Sequence, residues 1–189
     1  RLRTVTGVQT CALPIYKVNF SSSGLGSSLH LAAELFAARA GIRMTHIPYP
    51  GSAGAMRALL GNEVQMFSEV ISGALPHMAT QAVLPLAITS AKRLAVAPNL
   101  PTVAESGYPD FEAQGWYALV APKATPAPVV ARIETAINAV LASGVLQKRF
   151  ESLGMVIPGP QPPGSAEKYL AKDRALWEPL IRSLKVSLD

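Results

Sequence analysis

The sequence predicts an α/β fold built on parallel strands. Three observations carry that prediction. From Lys17 onward, short apolar runs alternate with stretches of helical periodicity. Each pair of runs is separated by enough chain for a helical crossover, which pairs strands in parallel. The run VLPLAITS (83–90) is apolar at nearly every position, as expected of a strand covered on both faces.

The elements follow in order. Residues 1–15, RLRTVTGVQTCALPI, show neither helical nor strand periodicity and lack the apolar core of a signal peptide. Val5 to Ile15 resembles the translation of a common sequencing-adapter oligonucleotide, residue for residue, so the natural sequence is expected to begin near Tyr16, with residues lost upstream. Arg1, Arg3 and Cys11 then fall outside it. KVNFSSS (17–23) reads as a strand entering a polar turn. Residues 27–41 read as a helix with Leu29, Ala32, Ala33, Phe36 and Ala40 on its inner face and Gly41 as its stop. IRMTHI (42–47) is a strand ended by Pro48. Ser52 to Leu60 is a helix with Met56, Leu59 and Leu60 inward, and VQMF (64–67) is a third strand. Val70 to Ala79 is a helix disturbed at Pro76, and 83–90 is the fourth strand. Residues 91–112 are Pro-rich, with one brief helical turn near 102–106, and read as a crossing segment. EAQGWYALVAP (112–122) is a strand carrying Trp116 and Tyr117, and both tryptophans read as core anchors. Thr125 as N-cap and Pro126 at the first helical position open a helix to about Ala142, with Val130, Ile133, Ile137 and Leu141 inward. A short helix (145–153), a strand (MVIP), a stiff PGPQPPG linker and a last helix capped by Ser165 complete the chain. Pro179 is expected to kink or break that helix.

Composition narrows the function. The chain has 189 residues, 49% of them hydrophobic and 15% charged, with a net charge of +5. That balance excludes intrinsic disorder. No run approaches the ~18 apolar residues of a membrane span, so direct membrane insertion is not expected. Its bases (Arg39, Arg43, Arg57, Lys92, Arg93) are scattered, which argues against nucleic acid. One cysteine rules out an internal disulfide and a cysteine metal cluster.

The first candidate site is SSSGLGSSLH (21–30), where a strand turns through glycine and serine into a helix. Gly24 and Gly26 permit a tight turn, and the helix start favours an anion. Ser22, Ser23, Ser27 and Ser28 add hydroxyls, and His30 closes the segment. It lacks the P-loop lysine and, with Leu29 at the third glycine position, the dinucleotide fingerprint. A plain N-capped turn is the alternative. The second candidate is HIPYPGS (46–52), where Tyr49, Gly51 and Ser52 stand at a strand end, the edge at which open α/β sheets bind ligands. Ser68 and Glu69 end the third strand on the same edge. His30, His46 and His77 have no metal-ligand spacing, and no metal or other cofactor is expected. Ser27, His30 and Glu34 fall along one helix face and not on a nucleophile elbow, so His30 and Glu34 read as a local i, i+4 pair and no catalytic residue is assigned.

Three pieces together resemble a known family: SSSGLGSSLHLAAELFAARAGIRMTHIPYPGS, LPLAITSAKRLAVAPNLPTVAESGYPDFEAQGWYALVAPKATP, and LGMVIP with WEPLIRSLKV. They are similar to the periplasmic substrate-binding proteins of tripartite tricarboxylate transporters, the Bug or TctC family, over residues 17–187. The resemblance implies a type II periplasmic-binding-protein fold, a Venus flytrap that closes around small carboxylates without enzymatic chemistry. It implies that 16–111 is the ligand-binding α/β lobe, complete, and that 112–189 is the C-terminal part of the second lobe, with a hinge near 108–115. It implies that Ser22–Ser28, Tyr49–Ser52 and Ser68–Glu69 line one wall of the cleft, that the partners are a small organic acid and the transporter's membrane subunits, and that the location is periplasmic. Pro50 and Ser68-Glu69 depart from the family's Lys and Asp-Asn, which leaves the acid's identity open. Two rival functions are a small α/β hydrolase or transferase using a loop serine, and a sensory domain reusing the fold.

Overall fold

The computed structural model describes residues 18–184, and they divide into two compact units between Ser68 and Glu69. The segment 1–15, Cys11, the start at Tyr16 and Lys17 at the head of the first strand lie outside the described residues.

The first unit is a three-stranded parallel sheet with its helical crossovers. Strand β1 (Asn19–Ser22) leads through a Gly/Ser loop into helix α1 (Ser28–Ala40). Strand β2 (Thr45–Pro48), helix α2 (Ser52–Leu60) and strand β3 (Met66–Phe67) follow. The sheet order is β2-β1-β3, with Phe20 opposite His46 on one side and Met66 on the other. The chain therefore leaves β1 toward one neighbour and returns on its opposite side, so β1 ends at a topological switch point. Phe20 and Val64 are fully buried, with Ala33, Ala55 and Ala58 packed around them.

α1 is bounded as its sequence predicts. The Ser27 hydroxyl accepts the His30 N–H, and Gly41 closes the helix in the left-handed region. Its inward face differs, however. His30, Ala33, Leu35 and Ala37 are buried, whereas Leu29, Ala32, Phe36 and Ala40 are only partly so. The alanine-rich helix is apolar almost all round, and its rotation is set by His30 stacking beneath the sheet. In α2 likewise Ala55, Met56 and Ala58 are buried, while Leu60 is exposed.

The second unit opens with helix α3 (Ile71–Ala79), which runs through Pro76. Its best-buried residues lie in irregular chain: Ile88, Ala97, Val103, Phe111 and Ala113. The brief turn at 102–106 is closed by a capping box, in which the Thr102 hydroxyl accepts the Glu105 N–H and the Glu105 carboxylate accepts the Thr102 N–H. Arg93 donates to the same carboxylate and to the Pro98 carbonyl, tying the loop together. Helices α4 (Ala127–Ala142), α5 (Gln147–Glu151) and α6 (Ser165–Leu184) follow. Gly154, after α5, has φ +73, and a Cβ there would lie 2.3 Å from Ile71 Cγ2. Only glycine allows this approach.

Several expectations are corrected here. Residues 83–90 and 112–122 form no ladder; the first makes a single bridge, Ile88 to Thr102. Leu84 is 82% exposed and Tyr117 89%. An apolar extended run becomes a strand only where pairing with a neighbouring backbone continues along it, and here pairing stops at the Ile88 bonds to Pro101 and Val103 and the Ala113 N–H to the Thr89 carbonyl. MVIP forms no strand for the same reason. Pro126, not Thr125, is the N-cap of α4, because its ψ of 137 is already outside the helix. Val130, Ile133, Ile137 and Leu141 are not buried. α6 continues through Pro179, and the Ser165 hydroxyl donates back to Pro162 instead of capping. Trp116 and Trp177 are anchored by polar contacts, each indole N–H donating to one oxygen of Asp173 at 3.0 Å.

Candidate functional site

The site residues of the first unit gather where β1 and β2 end. The Tyr49 N–H donates to the Ser22 carbonyl at 3.1 Å, and the Gly51 N–H to the Ser23 carbonyl at 3.3 Å, so the two loops are joined. Two helices start beside each other there. α1 presents the N–H groups of Ser28 and Leu29, and α2 begins at Gly51 with no side-chain cap. Paired helix starts concentrate unsatisfied donors and positive potential on one spot. Ser28, exposed, and Ser23, half-buried, flank it. Ser68 follows Phe67, the register partner of Ser21, and so stands at the same sheet edge.

Much of the loop is occupied with its own geometry. The Ser22 hydroxyl is buried, 2.6 Å from His46 Nε2 and 2.9 Å from the Gly24 carbonyl, and it accepts the Gly24 N–H. The Gly26 N–H donates to His30 Nδ1 at 3.1 Å, a direction that Gly26 reaches at φ 72. Ser27 caps α1. Beneath the loop His30 and His46 stack with ring centroids 3.8 Å apart, and Phe20 stacks on His46 at 4.9 Å. Burial holds the pKa of His30 below the ordinary value. Burial, then the neighbouring His30, pushes His46 down to about 4. Glu34 stands 3.6 Å from His30 Nε2, the expected local pair, and burial raises its pKa.

Two candidates are engaged away from the loops. The Tyr49 hydroxyl donates to Glu63 at 3.1 Å, with its ring base packed over Gly54, so its phenol lies along α2. Lost hydration, that hydrogen bond and the Glu63 charge raise the phenol's pKa. Glu69 belongs to the second unit, where its carboxylate accepts the Val70 N–H at the start of α3. His46 heads the second candidate segment but has no assigned role there; its contact with Ser22 depends on the β1–β2 register, which the sequence alone does not give.

Among the described residues no three His, Cys, Asp or Glu side chains gather as a metal centre requires. No helix among them is long and apolar enough to cross a membrane.

The chain is also similar to known proteins. The family model described as tripartite tricarboxylate transporter family receptor matches residues 4–186. A UPF0065 protein in the tcbD-tcbE intergenic region of Pseudomonas sp. (strain P51) is 35% identical over 174 residues, covering 92% of this chain and 52% of that protein. Among solved structures, R. palustris Rpa4515 with adipate superposes with a TM-score of 0.78 at 30% identity, over 91% of this chain and 57% of that one. The periplasmic binding protein BugD superposes with a TM-score of 0.77 at 30% identity, over 92% and 58%. The chain thus spans about half the length of the relatives it matches.

Proposed function

The chain belongs to the tripartite tricarboxylate transporter receptor family, and we propose that it is the ligand-binding part of a receptor for small organic acids, whose carboxylate lies against the paired starts of α1 and α2. The observation that carries this reading is the joining of two helix N-termini at one sheet edge by the Tyr49–Ser22 and Gly51–Ser23 hydrogen bonds. A carboxylate there accepts the N–H groups of Ser28 and Leu29 and meets the hydroxyls of Ser23 and Ser28, with Ser52 and Ser68 at the margin. Binding requires preorganised donors and no covalent step. On the same reading, residues 16–111 form the binding lobe, 112–189 belong to the second lobe, and closure bends the chain near 108–115. The receptor works in the periplasm and delivers its acid to membrane subunits. Against the rival hydrolase reading, which uses Ser27, the Ser27 hydroxyl accepts the His30 N–H as the cap of α1, while the His30 ring takes the Gly26 N–H on Nδ1 and faces Glu34 with Nε2.

The test is a titration of the 189-residue chain with adipate, followed through backbone amide resonances. Millimolar adipate is expected to shift the amides of Ser23, Ser28, Leu29 and Ala53, while the uncharged diamide of the same length leaves them in place. The expected dissociation constant is of millimolar order, since a short ligand held on one wall recovers only part of the association entropy. Equal shifts with the diamide, or none with either compound, would sink the reading.

A further inference from the structure

Three features outside the carboxylate contacts invite a function: the apolar strip along α6 beside Trp177, the exposed run at 117–120, and the stacked histidines beneath the Gly/Ser loop. Nothing in the structure shows what covers the first two. The histidines carry an inference.

A backbone N–H always donates, so His30 Nδ1, which receives the Gly26 N–H at 3.1 Å, must be an unprotonated acceptor. The ring's proton is then on Nε2, facing the Glu34 carboxylate at 3.6 Å. A protonated His30 would set two donors against each other and release Gly26. Ser22 gives the matching argument for His46. Its one hydroxyl proton lies within reach of both the Gly24 carbonyl, at 2.9 Å, and His46 Nε2, at 2.6 Å. All partners are satisfied when His46 donates from Nε2 to Ser22 Oγ and Ser22 donates onward to Gly24. Ser22 Oγ also accepts the Gly24 N–H. Two neutral rings can stack face to face at 3.8 Å in a buried place, whereas two imidazolium ions cannot.

We propose that His30 and His46 are positioning residues which, as a stacked neutral pair of Nε2–H tautomers, set the 22–28 loop by holding Gly26 and Ser22. The groups facing the pair are Phe20 and Ser22 from β1 and Glu34 from α1, and the carboxylate of Glu34 is the one formal charge among them. The pair sits under the loop, with His30 3% exposed, and supplies none of the proposed carboxylate contacts. It fixes which donors are consumed internally and which, at Ser28 and Leu29, remain for a carboxylate. This inference rests on the proposed site only for its consequence; the tautomers and the Gly26 bond are measured with no ligand present.

The test is imidazole nitrogen NMR on the 189-residue chain at pH 7. Both histidines are expected to give the Nε2–H pattern, and a Nδ1–H tautomer or an imidazolium on His30 overturns the proposal. A pair of variants reads the contact itself. His30→Asn keeps an acceptor oxygen near the Nδ1 position, and His30→Leu removes it. The Gly26 amide is expected to exchange about fivefold to tenfold faster in the leucine variant than in the asparagine one. Equal rates in two variants with native α1 amides also overturn it. Should the leucine variant fail to fold, the tautomers of the unaltered chain still decide. Failure of adipate to bind, with both tautomers as expected, would refute the carboxylate site and leave the positioning role standing.

Discussion

A histidine buried against another histidine gains stability by staying neutral, and its dependence on pH follows. The pKa of His46 falls from 6.5 in the unfolded chain to about 4 in the fold, and that of His30 moves in the same direction. Between those values the unfolded chain binds more protons than the folded one. Stability is therefore complete above about pH 6.5 and is lost as the pH falls toward 4. Urea midpoints measured from pH 7.5 to 4.5 are expected to drop steadily, and His46→Phe, which keeps an aromatic surface on Phe20, to flatten the slope. Unchanged slopes would place the acid sensitivity elsewhere. At this scale the sequence is least legible. Gly41 as the stop of α1 could be read directly, because a helix end needs only local geometry. The commitment of Tyr49 to Glu63 could not, since the two meet only after α2 has folded back between them.

Among elements, helices were more legible than strands. α2 runs from Ser52 to Leu60 as the sequence predicts, and α1 stops at Gly41 as predicted. A helix satisfies its own backbone, so its signals are local. Strands depend on what lies beside them. VLPLAITS has the composition of a covered strand, yet only Ile88 pairs. The irregular 88–113 stretch is organised by contacts of longer range, and three substitutions probe them. Thr102→Ala removes half of the capping box and is expected to cost about 1 kcal/mol in urea denaturation. Gly154→Ala forces a Cβ against Ile71 at a positive φ and is expected to cost about 2 kcal/mol. Asp173→Ala leaves two indole N–H groups without their acceptor; both indoles reach solvent, so a loss of about 1 kcal/mol with a red-shifted tryptophan emission is expected. A wild-type denaturation midpoint in any of the three would remove that contact from the account.

At the scale of the molecule the fold class was legible, because alternation of runs and helices alone predicts parallel pairing. Which apolar faces are covered was not. Leu84, Leu86, Tyr117, Leu119 and Val120 are all more than two-thirds exposed. Apolar surface left in water binds other apolar surface. The chain is therefore expected to enhance the fluorescence of anilinonaphthalene sulfonate and to associate as its concentration rises, with Leu86→Lys and Leu119→Lys together reducing both. Dye binding at the level of a well-covered protein would contradict that picture.

The central place of β1 has a consequence for how the first unit assembles. Both pairings of the sheet use this one strand, and β2 and β3 do not pair with each other. Neither outer strand has a partner until β1 has arrived, so the nucleus of the folding reaction must contain it. Changes in β1 should then slow folding, whereas changes in β3, which joins across 46 residues of chain from Phe20 to Met66, should chiefly hasten unfolding. The loop at 22–28 grows directly out of the strand that must form first.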